Sequence, residues 1–216
     1  MAPIKIGLLI SGSGTNLQAI MDNIQGGHIN ARIELIISNK KDAYGLERGR
    51  RAGITSLYID RASFKDEEEY NLSLIREFKA RKVDLIVLAG YLRALSKDFI
   101  AEYRDKIINI HPSLIPSFSG KGYYGQRVHE EVLRYGVKIS GATVHFVDEG
   151  MDTGPIILQE PVHVRDEDTI ESLRERVLAV EHRILSQAIK LYCDNRLEIV
   201  GRKVIVKGEG DEKGID

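Results

Sequence analysis

The first two thirds of the sequence alternate between short apolar runs and segments with helical periodicity. The apolar runs have the nearly continuous hydrophobic character of strands buried on both faces. They lie at residues 4–10, 33–38, 83–89 and 107–110. Helical spacing of apolar residues follows Asn16 and recurs within residues 66–82. Because strands that alternate with helices form parallel sheets covered on both faces, the sequence predicts a doubly wound, mostly parallel α/β sheet.

The pattern changes after Gly136. Residues 138–146 and 156–164 are typical of two longer strands joined by an acidic, glycine-containing loop. A long helix is predicted over about residues 169–193, with its apolar side chains on one stripe. We therefore expect an antiparallel C-terminal extension of the sheet, followed by a long C-terminal helix.

Composition limits the classes of function. The 216 residues carry 31 basic and 32 acidic side chains, a balance that argues against a nucleic-acid or membrane-surface binder. No apolar run approaches the ~18 residues needed to span a bilayer. The lone Cys193 cannot form an internal disulfide, which favours a reducing compartment. We expect a cytoplasmic protein with one domain over residues 1–206 and a polar, flexible tail over 207–216.

A glycine-rich turn, Ser-Gly-Ser-Gly-Thr-Asn at residues 11–16, joins the first predicted strand to the first helix. Backbone N–H groups at such a helix start bind anions, and Gly12 and Gly14 permit close approach of a ligand. The dinucleotide fingerprint would require a third glycine where Leu17 stands, and no Walker A pattern is present. A phosphomonoester therefore fits this turn better than NAD or ATP. A tight turn without a ligand is the alternative.

Asn109 and His111 end the fourth predicted strand and, by period-2 alternation, share one side of it. Pro112 stops the strand and keeps His111 extended, at the carboxyl edge where open α/β sheets bind ligands. An amide and a protonated imidazole can both donate to an oxygen that becomes anionic during acyl transfer. The pair therefore predicts an acyl-transfer centre, with a satisfied core histidine and a turn-capping asparagine as alternatives.

A nearby carboxylate would keep the imidazole protonated. The acidic loop offers three candidates, Asp148, Glu149 and Asp152, although it could also be a solvated surface loop. A zinc site is a competing hypothesis, but its possible ligands lack the short spacing that is typical of local metal pairs. Those possible ligands are His111, His129, His145 and Asp152.

Glu181 falls on the apolar stripe of the long C-terminal helix, four residues after Val177 and three before Ile184. A carboxylate there is either at the edge of the stripe or buried with a cationic or hydrogen-bonding partner. The spacing favours the edge position. A substrate amine or ribose hydroxyls would suit the buried one.

Taken in order, these motifs resemble the phosphoribosylglycinamide formyltransferase family, which is folate-dependent and acts in purine synthesis. The similarity extends over about residues 4–200. The matching stretches are LISGSGTNLQAI at 9–20, SNK at 38–40, LAGYLR at 88–93, NIHPSLIP at 109–116 and DTGPI at 152–156. The Asn-x-His-Pro-Ser segment is shared by other folate formyltransferases, whereas the N-terminal glycine turn is specific to this branch.

The resemblance implies a formyltransferase-type fold with a Rossmann-like N-terminal half, and it assigns roles by position. The catalytic residues would be Asn109, His111 and Asp152, with Asp152 keeping the histidine protonated. The ribonucleotide would contact Gly12, Ser13, Gly14, Thr15, Asn16, Leu178, Ala179, Val180 and Glu181. The folate would contact Leu92, Arg93, Ala94, Leu95, Asn109, Asp148, Glu149, Gly150, Met151 and Asp152. Glu67 stands where some members carry an arginine that contacts the folate.

The implied reaction moves the formyl group of 10-formyltetrahydrofolate to the amine of phosphoribosylglycinamide through a tetrahedral intermediate. No metal, nucleic-acid or membrane partner is expected, and either a monomer or a homodimer is compatible. A formyltetrahydrofolate hydrolase with the same centre is the closest alternative. A methionyl-tRNA formyltransferase is disfavoured by the short chain and its lack of a basic excess. A non-catalytic nucleotide-binding module is an alternative from another class.

Overall fold

The computed structural model describes residues 2–208, and these form one nine-stranded sheet with helices on both faces. The strands are β1 (Ile4–Ile10), β2 (Ala31–Ser38), β3 (Ser56–Tyr58), β4 (Leu85–Leu88), β5 (Ile107–His111), β6 (Ile139–Phe146), β7 (Ile156–His163), β8 (Leu197–Val200) and β9 (Lys203–Val206). Their order across the sheet is β3-β2-β1-β4-β5-β6-β7-β9-β8.

Strands β1 to β5 are parallel to one another, whereas β6 pairs antiparallel with β5 and with β7. Strands β8 and β9 form an antiparallel hairpin at the far edge. The predicted mostly parallel sheet with an antiparallel C-terminal extension is therefore confirmed. Its order reverses beside β1, since β2 and β3 lie on one side of β1 and β4 and β5 on the other. Open α/β sheets bind ligands at such a reversal.

The helices divide into two layers. They are α1 (Thr15–Gln25), α2 (Tyr44–Arg51), α3 (Glu67–Ala80), α4 (Lys97–Glu102), α5 (Gln126–Tyr135) and α6 (Ile170–Cys193). Apolar residues of α1, α2, α5 and α6 pack into one core cluster, and those of α3 and α4 into a second. Because strand side chains alternate between the faces, β1 feeds both clusters: Leu8 enters the first and Leu9 the second.

The long C-terminal helix is confirmed, and its start has a local cause. Thr169 and Ser172 form a reciprocal capping box that satisfies backbone groups at the first turn of α6. The sequence did not predict α2, β3, α4, α5 or the β8–β9 hairpin. These elements are short, and in β3 the three residues are too few to show a period.

The prediction of one domain over residues 1–206 stays a prediction. Of the predicted tail at 207–216, only Lys207 and Gly208 belong to the described residues, and 209–216 lie outside them. Within residues 2–208, no helix combines the length and apolar character required to cross a membrane.

Candidate active site

A cavity of about 580 Å³ opens at the carboxyl edge of the parallel strands, where the sheet order reverses. The loops that follow β1, β4 and β5 line it, together with the acidic loop between β6 and β7 and one face of α6. The structure brings nearly all the predicted site residues to this cavity. They are residues 12–16, 92–95 and 148–152, with Asn109, His111, Leu178 and Glu181.

Two predicted ribonucleotide contacts, Ala179 and Val180, do not line the cavity. Helical spacing explains this, because Leu178 and Glu181 are three residues apart and share a face of α6. Ala179 is exposed on another face, and Val180 packs into the core. Leu178 and Glu181 thus face the cavity, whereas the ribonucleotide contacts assigned to Ala179 and Val180 stay predictions.

His111 is 4% exposed, and each of its ring nitrogens has a polar neighbour. Its Nε2 lies 2.9 Å from the carbonyl oxygen of Phe118, which can only accept, so Nε2 carries a hydrogen. Its Nδ1 lies 3.7 Å from Oδ2 of Asp152. A proton at Nδ1 would thus face a carboxylate oxygen.

Asp152 is the only one of the three acidic candidates that the structure brings next to His111 within the described residues. Its Oδ2 also accepts a hydrogen bond from the Gly120 N–H at 2.8 Å, which fixes the carboxylate. Asp148 instead accepts from Thr153 within its own loop, and Glu149 lies 3.6 Å from Lys97. The backbone at Asp152 is left-handed, with φ +57°, a conformation uncommon outside glycine and found at functional sites.

Asn109 has a neighbour that the sequence did not identify for this role. Strands β5 and β6 pair Asn109 with His145, and the Asn109 Nδ2 lies 3.1 Å from the His145 Nε2. The His145 Nδ1 lies 2.8 Å from the carbonyl oxygen of Phe146. Burial lowers the pKa of His145 below its usual value, so the ring is neutral near pH 7. The sequence placed His145 only in the zinc hypothesis, since the register between the two strands was not available from it.

Glu181 is buried, so the edge position that its spacing favoured is wrong. Its partner is Asn16, whose Nδ2 donates to the Glu181 Oε2 at 2.8 Å and joins the start of α1 to α6. Burial raises the pKa of Glu181 to about 7, although the Asn16 bond and the Arg174 charge oppose that rise. One oxygen of the carboxyl group is thus held, and the group lies against the cavity.

The glycine turn after β1 leaves backbone donors free. Gly14 takes a left-handed conformation, φ +71°, immediately before α1 and provides no side-chain cap for that helix. A Cβ atom built on Gly14 would lie 2.6 Å from the Gly45 Cα, so the position requires glycine for space as well as for conformation. Among the described residues, the N–H groups of residues 12–14 donate no hydrogen bond. This arrangement matches an anion site.

The segment after β4, residues 92–95, is fixed at both ends and free between them. The Leu92 N–H donates to the Ser11 Oγ at 3.0 Å, and the Ser96 N–H donates to the Asn71 Oδ1 at 3.0 Å. In the described part of the chain, no hydrogen bond engages the backbone groups of residues 93–95. These groups face a cavity whose wall includes the apolar Ile100 and Val147, an arrangement suited to a heterocycle with hydrogen-bonding edges.

Glu67 forms an ion pair with Arg93, and the Arg61 Nε lies 2.9 Å from the Glu67 Oε1. The Arg93 guanidinium also lies 5.8 Å from the centre of the Tyr70 ring. Arg93 is thus already engaged at the rim of the cavity.

His129 and Arg174 also line the cavity, and the sequence connected neither of them with a substrate. His129 is buried, and its Nδ1 has no hydrogen-bond partner among the described residues. Burial, with the Arg174 and His111 charges, lowers the pKa of His129 to about 4. Arg174 lies on α6, one turn before Leu178. A cavity-facing position on α6 could have been predicted for Arg174 from its spacing to Glu181.

Within residues 2–208, no group of three or more metal-ligating side chains is arranged to hold an ion.

Comparison with known proteins gives this geometry a context. A family model described as formyl transferase matches residues 4–189. Phosphoribosylglycinamide formyltransferase of Escherichia coli (strain K12) is 39% identical over 196 residues, which cover 91% of this chain and 90% of that protein. The crystal structure of glycinamide ribonucleotide transformylase 1 from Symbiobacterium toebii superposes with a TM-score of 0.90 and 47% identity, covering 95% of this chain and 94% of that one.

Some relatives are much longer. Human trifunctional purine biosynthetic protein adenosine-3 is 39% identical over 195 residues, 90% of this chain, but the match spans only 19% of that protein. The chain therefore corresponds to about a fifth of the length of this trifunctional relative.

Proposed function

The chain belongs to the formyl transferase family, and from that premise we propose that it transfers the formyl group of 10-formyltetrahydrofolate to the amine of phosphoribosylglycinamide. The observation that carries the proposal is the arrangement of one cavity. Asn109, His111 and Asp152 lie together in it, and the free N–H groups of the glycine turn line the same cavity. Cytoplasmic action on small-molecule substrates, as a monomer or a homodimer, is part of the same proposal.

The proposal that the ribonucleotide binds here is supported by the first turn of α1 and by the face of α6 that lines the cavity. The N–H groups of residues 12–14 and the helix dipole attract a phosphate. Glu181 accepts from Asn16 through one oxygen, which leaves the other oxygen for a ribose hydroxyl. The glycinamide amine would then extend towards Asn109 and His111.

The proposal that the folate binds here is supported by residues 92–95 and by the acidic loop at 148–152. Their free backbone groups and apolar surroundings suit the flat heterocycle of a pterin. When bound, the folate supplies the formyl group. The protein residues orient it, exclude water and stabilise charge.

At the reacting carbon, the amine attacks and negative charge develops on the formyl oxygen. In this proposal the amide N–H₂ of Asn109 and the Nδ1–H of His111, both in the cavity lining, donate to that oxygen. Asp152, fixed by the Gly120 N–H, sustains the positive charge on the ring.

We assign the proton transfer to Nδ1 of His111, because the Nε2–H already donates to the carbonyl oxygen of Phe118. Nδ1 passes a proton to the departing folate nitrogen, and the proton lost by the attacking amine restores it. The C–N bond to the folate breaks as the new C–N bond to the glycinamide forms, so no oxidant or reductant is needed.

The test is a two-substrate assay that follows release of tetrahydrofolate with and without phosphoribosylglycinamide. Release that requires the ribonucleotide supports the transferase. Release at the same rate in its absence would support a formyltetrahydrofolate hydrolase instead. Binding of both compounds without turnover would support a non-catalytic module.

A further inference from the structure

Arg174 is a charged side chain in the cavity to which the proposed reaction gives no role. Arg174, Leu178 and Glu181 are spaced i, i+4 and i+7 on α6, which places all three on one helix face. All three line the cavity. Arg174 is therefore presented to the same space as the ribonucleotide residues on this helix.

Arg174 is also electrostatically uncommitted. Among residues 2–208 it makes no ion pair and no side-chain hydrogen bond, whereas Arg93, the other arginine in the cavity lining, is paired with Glu67. The described lining includes no lysine. An unpaired guanidinium in a cavity is a ready ligand for an anion.

The charge of Arg174 acts on two sides of the cavity. It contributes to the lowered pKa of His129 on α5 and opposes the rise in the pKa of Glu181 on α6. Glu181 is hydrogen-bonded to Asn16 at the start of α1, so the guanidinium lies within electrostatic range of the residues proposed to bind the ribonucleotide.

A cation would strengthen the binding of a phosphate in this cavity. Four carboxylates line the cavity, at Asp148, Glu149, Asp152 and Glu181, and they repel a dianion. The glycine turn offsets that repulsion with N–H groups and the helix dipole, but without a full positive charge. On the basis of the proposed function, we infer that Arg174 binds the phosphate of the ribonucleotide, opposite the N–H groups of residues 12–14. A guanidinium can hold two phosphate oxygens at once, which an ammonium group cannot do.

The experiment compares Arg174→Gln with the wild type on two substrates, phosphoribosylglycinamide and the same compound without its phosphate. With the phosphorylated substrate, the variant should show a KM raised by about 10- to 100-fold, because a charged hydrogen bond is lost. The KM for the folate should be unchanged. With the dephosphorylated substrate, the wild type and the variant should have the same KM.

Two further variants sharpen the comparison. Arg183→Gln alters an arginine on the same helix that pairs with Glu160 outside the cavity, and it should leave every KM unchanged. Arg174→Lys keeps the charge without the fork of donors, and it should restore part of the affinity. A KM for the phosphorylated substrate within twofold of the wild type in Arg174→Gln would overturn the inference. An equal rise with both substrates would do the same, since it would indicate a structural role.

Failure of the proposed reaction is distinguishable from failure of this inference. If the wild type transfers no formyl group, calorimetric titration with ribose 5-phosphate and with ribose still tests Arg174. Binding of the phosphate compound that weakens in Arg174→Gln supports the site. Equal binding by both proteins, or none by the wild type, contradicts it.

Discussion

The amide nitrogen of Asn109 lies 3.1 Å from Nε2 of His145, and this contact sets the direction of the amide. The His145 Nδ1 faces the carbonyl oxygen of Phe146 and must carry the ring hydrogen, so in the neutral ring Nε2 accepts. One hydrogen of the Asn109 N–H₂ group is thereby engaged, and the other is free for an oxyanion in the cavity. His145 is thus a positioning residue for Asn109.

Loss of the Asn109 donor tests its role. Asn109→Ala should lower kcat by about 10²–10³, as for the loss of one oxyanion donor, with little change in either KM. Steady-state kinetics measure this, and Asn30→Ala, an exposed asparagine outside the cavity, is the matched control. Near-normal kcat in Asn109→Ala would remove Asn109 from the mechanism.

The positioning role of His145 predicts coupling between two substitutions. His145→Phe keeps a ring but removes the acceptor, and it should lower kcat by about tenfold because the amide is no longer held. In Asn109→Ala, the same change should have almost no further effect, since contacting residues are non-additive. Independent, multiplying losses in the double variant would show that His145 acts in another way.

The Asp152 carboxylate is predicted to act through its charge. Asp152→Asn retains an oxygen that can accept the Gly120 N–H, so the loop should stay in place. The kcat should nevertheless fall by at least about tenfold, because the imidazolium of His111 loses its counter-charge. Asp148→Asn, which alters an acid bonded within its own loop, is the control and should have a much smaller effect on kcat. Equal losses in the two variants would argue against a special role for Asp152.

Glu181 gives a prediction about stability and pH. Its pKa is raised from 4.5 to about 7 in the folded protein, so the unfolded chain ionises first as pH rises. The stability of the protein should therefore fall between about pH 4.5 and 7, by up to about 3 kcal/mol from this group. Glu181→Gln, which mimics the protonated form, should raise the free energy of unfolding at pH 8 and leave it nearly unchanged at pH 4.5.

Denaturant unfolding at the two pH values measures the effect, with the exposed Glu175→Gln on the same helix as the control. The same Glu181→Gln variant should bind the ribonucleotide more weakly, because the ribose hydroxyl loses an ionised acceptor. No gain in stability at pH 8 would contradict the burial argument.

The sequence predicted what depends on local pattern. The alternation of apolar runs gave the parallel sheet, and Asn109 and His111 followed from period 2 and Pro112. It could not predict contacts that depend on register or on packing between distant segments. His145 meets Asn109 only through the β5–β6 pairing, and Glu181 meets Asn16 across 165 positions of the chain.

The same limit applies to the partner of His111. Three acids in one loop were equivalent by composition, and the family resemblance, not spacing, distinguished Asp152. The turn that places Asp152 beside the ring relies on a left-handed backbone at a non-glycine residue and on the Gly120 N–H from another loop. Neither leaves a periodic signal in the sequence.

Direct transfer of the formyl group to the glycinamide amine at the Asn109–His111 centre can be tested by the fate of a ¹³C-labelled formyl group. NMR follows the label after the labelled folate is mixed with phosphoribosylglycinamide and the protein. The label should appear as an N-formyl group on the ribonucleotide, and His111→Ala should slow its appearance by about 10²-fold or more. Label recovered as free formate, at a rate independent of the ribonucleotide, would contradict direct transfer.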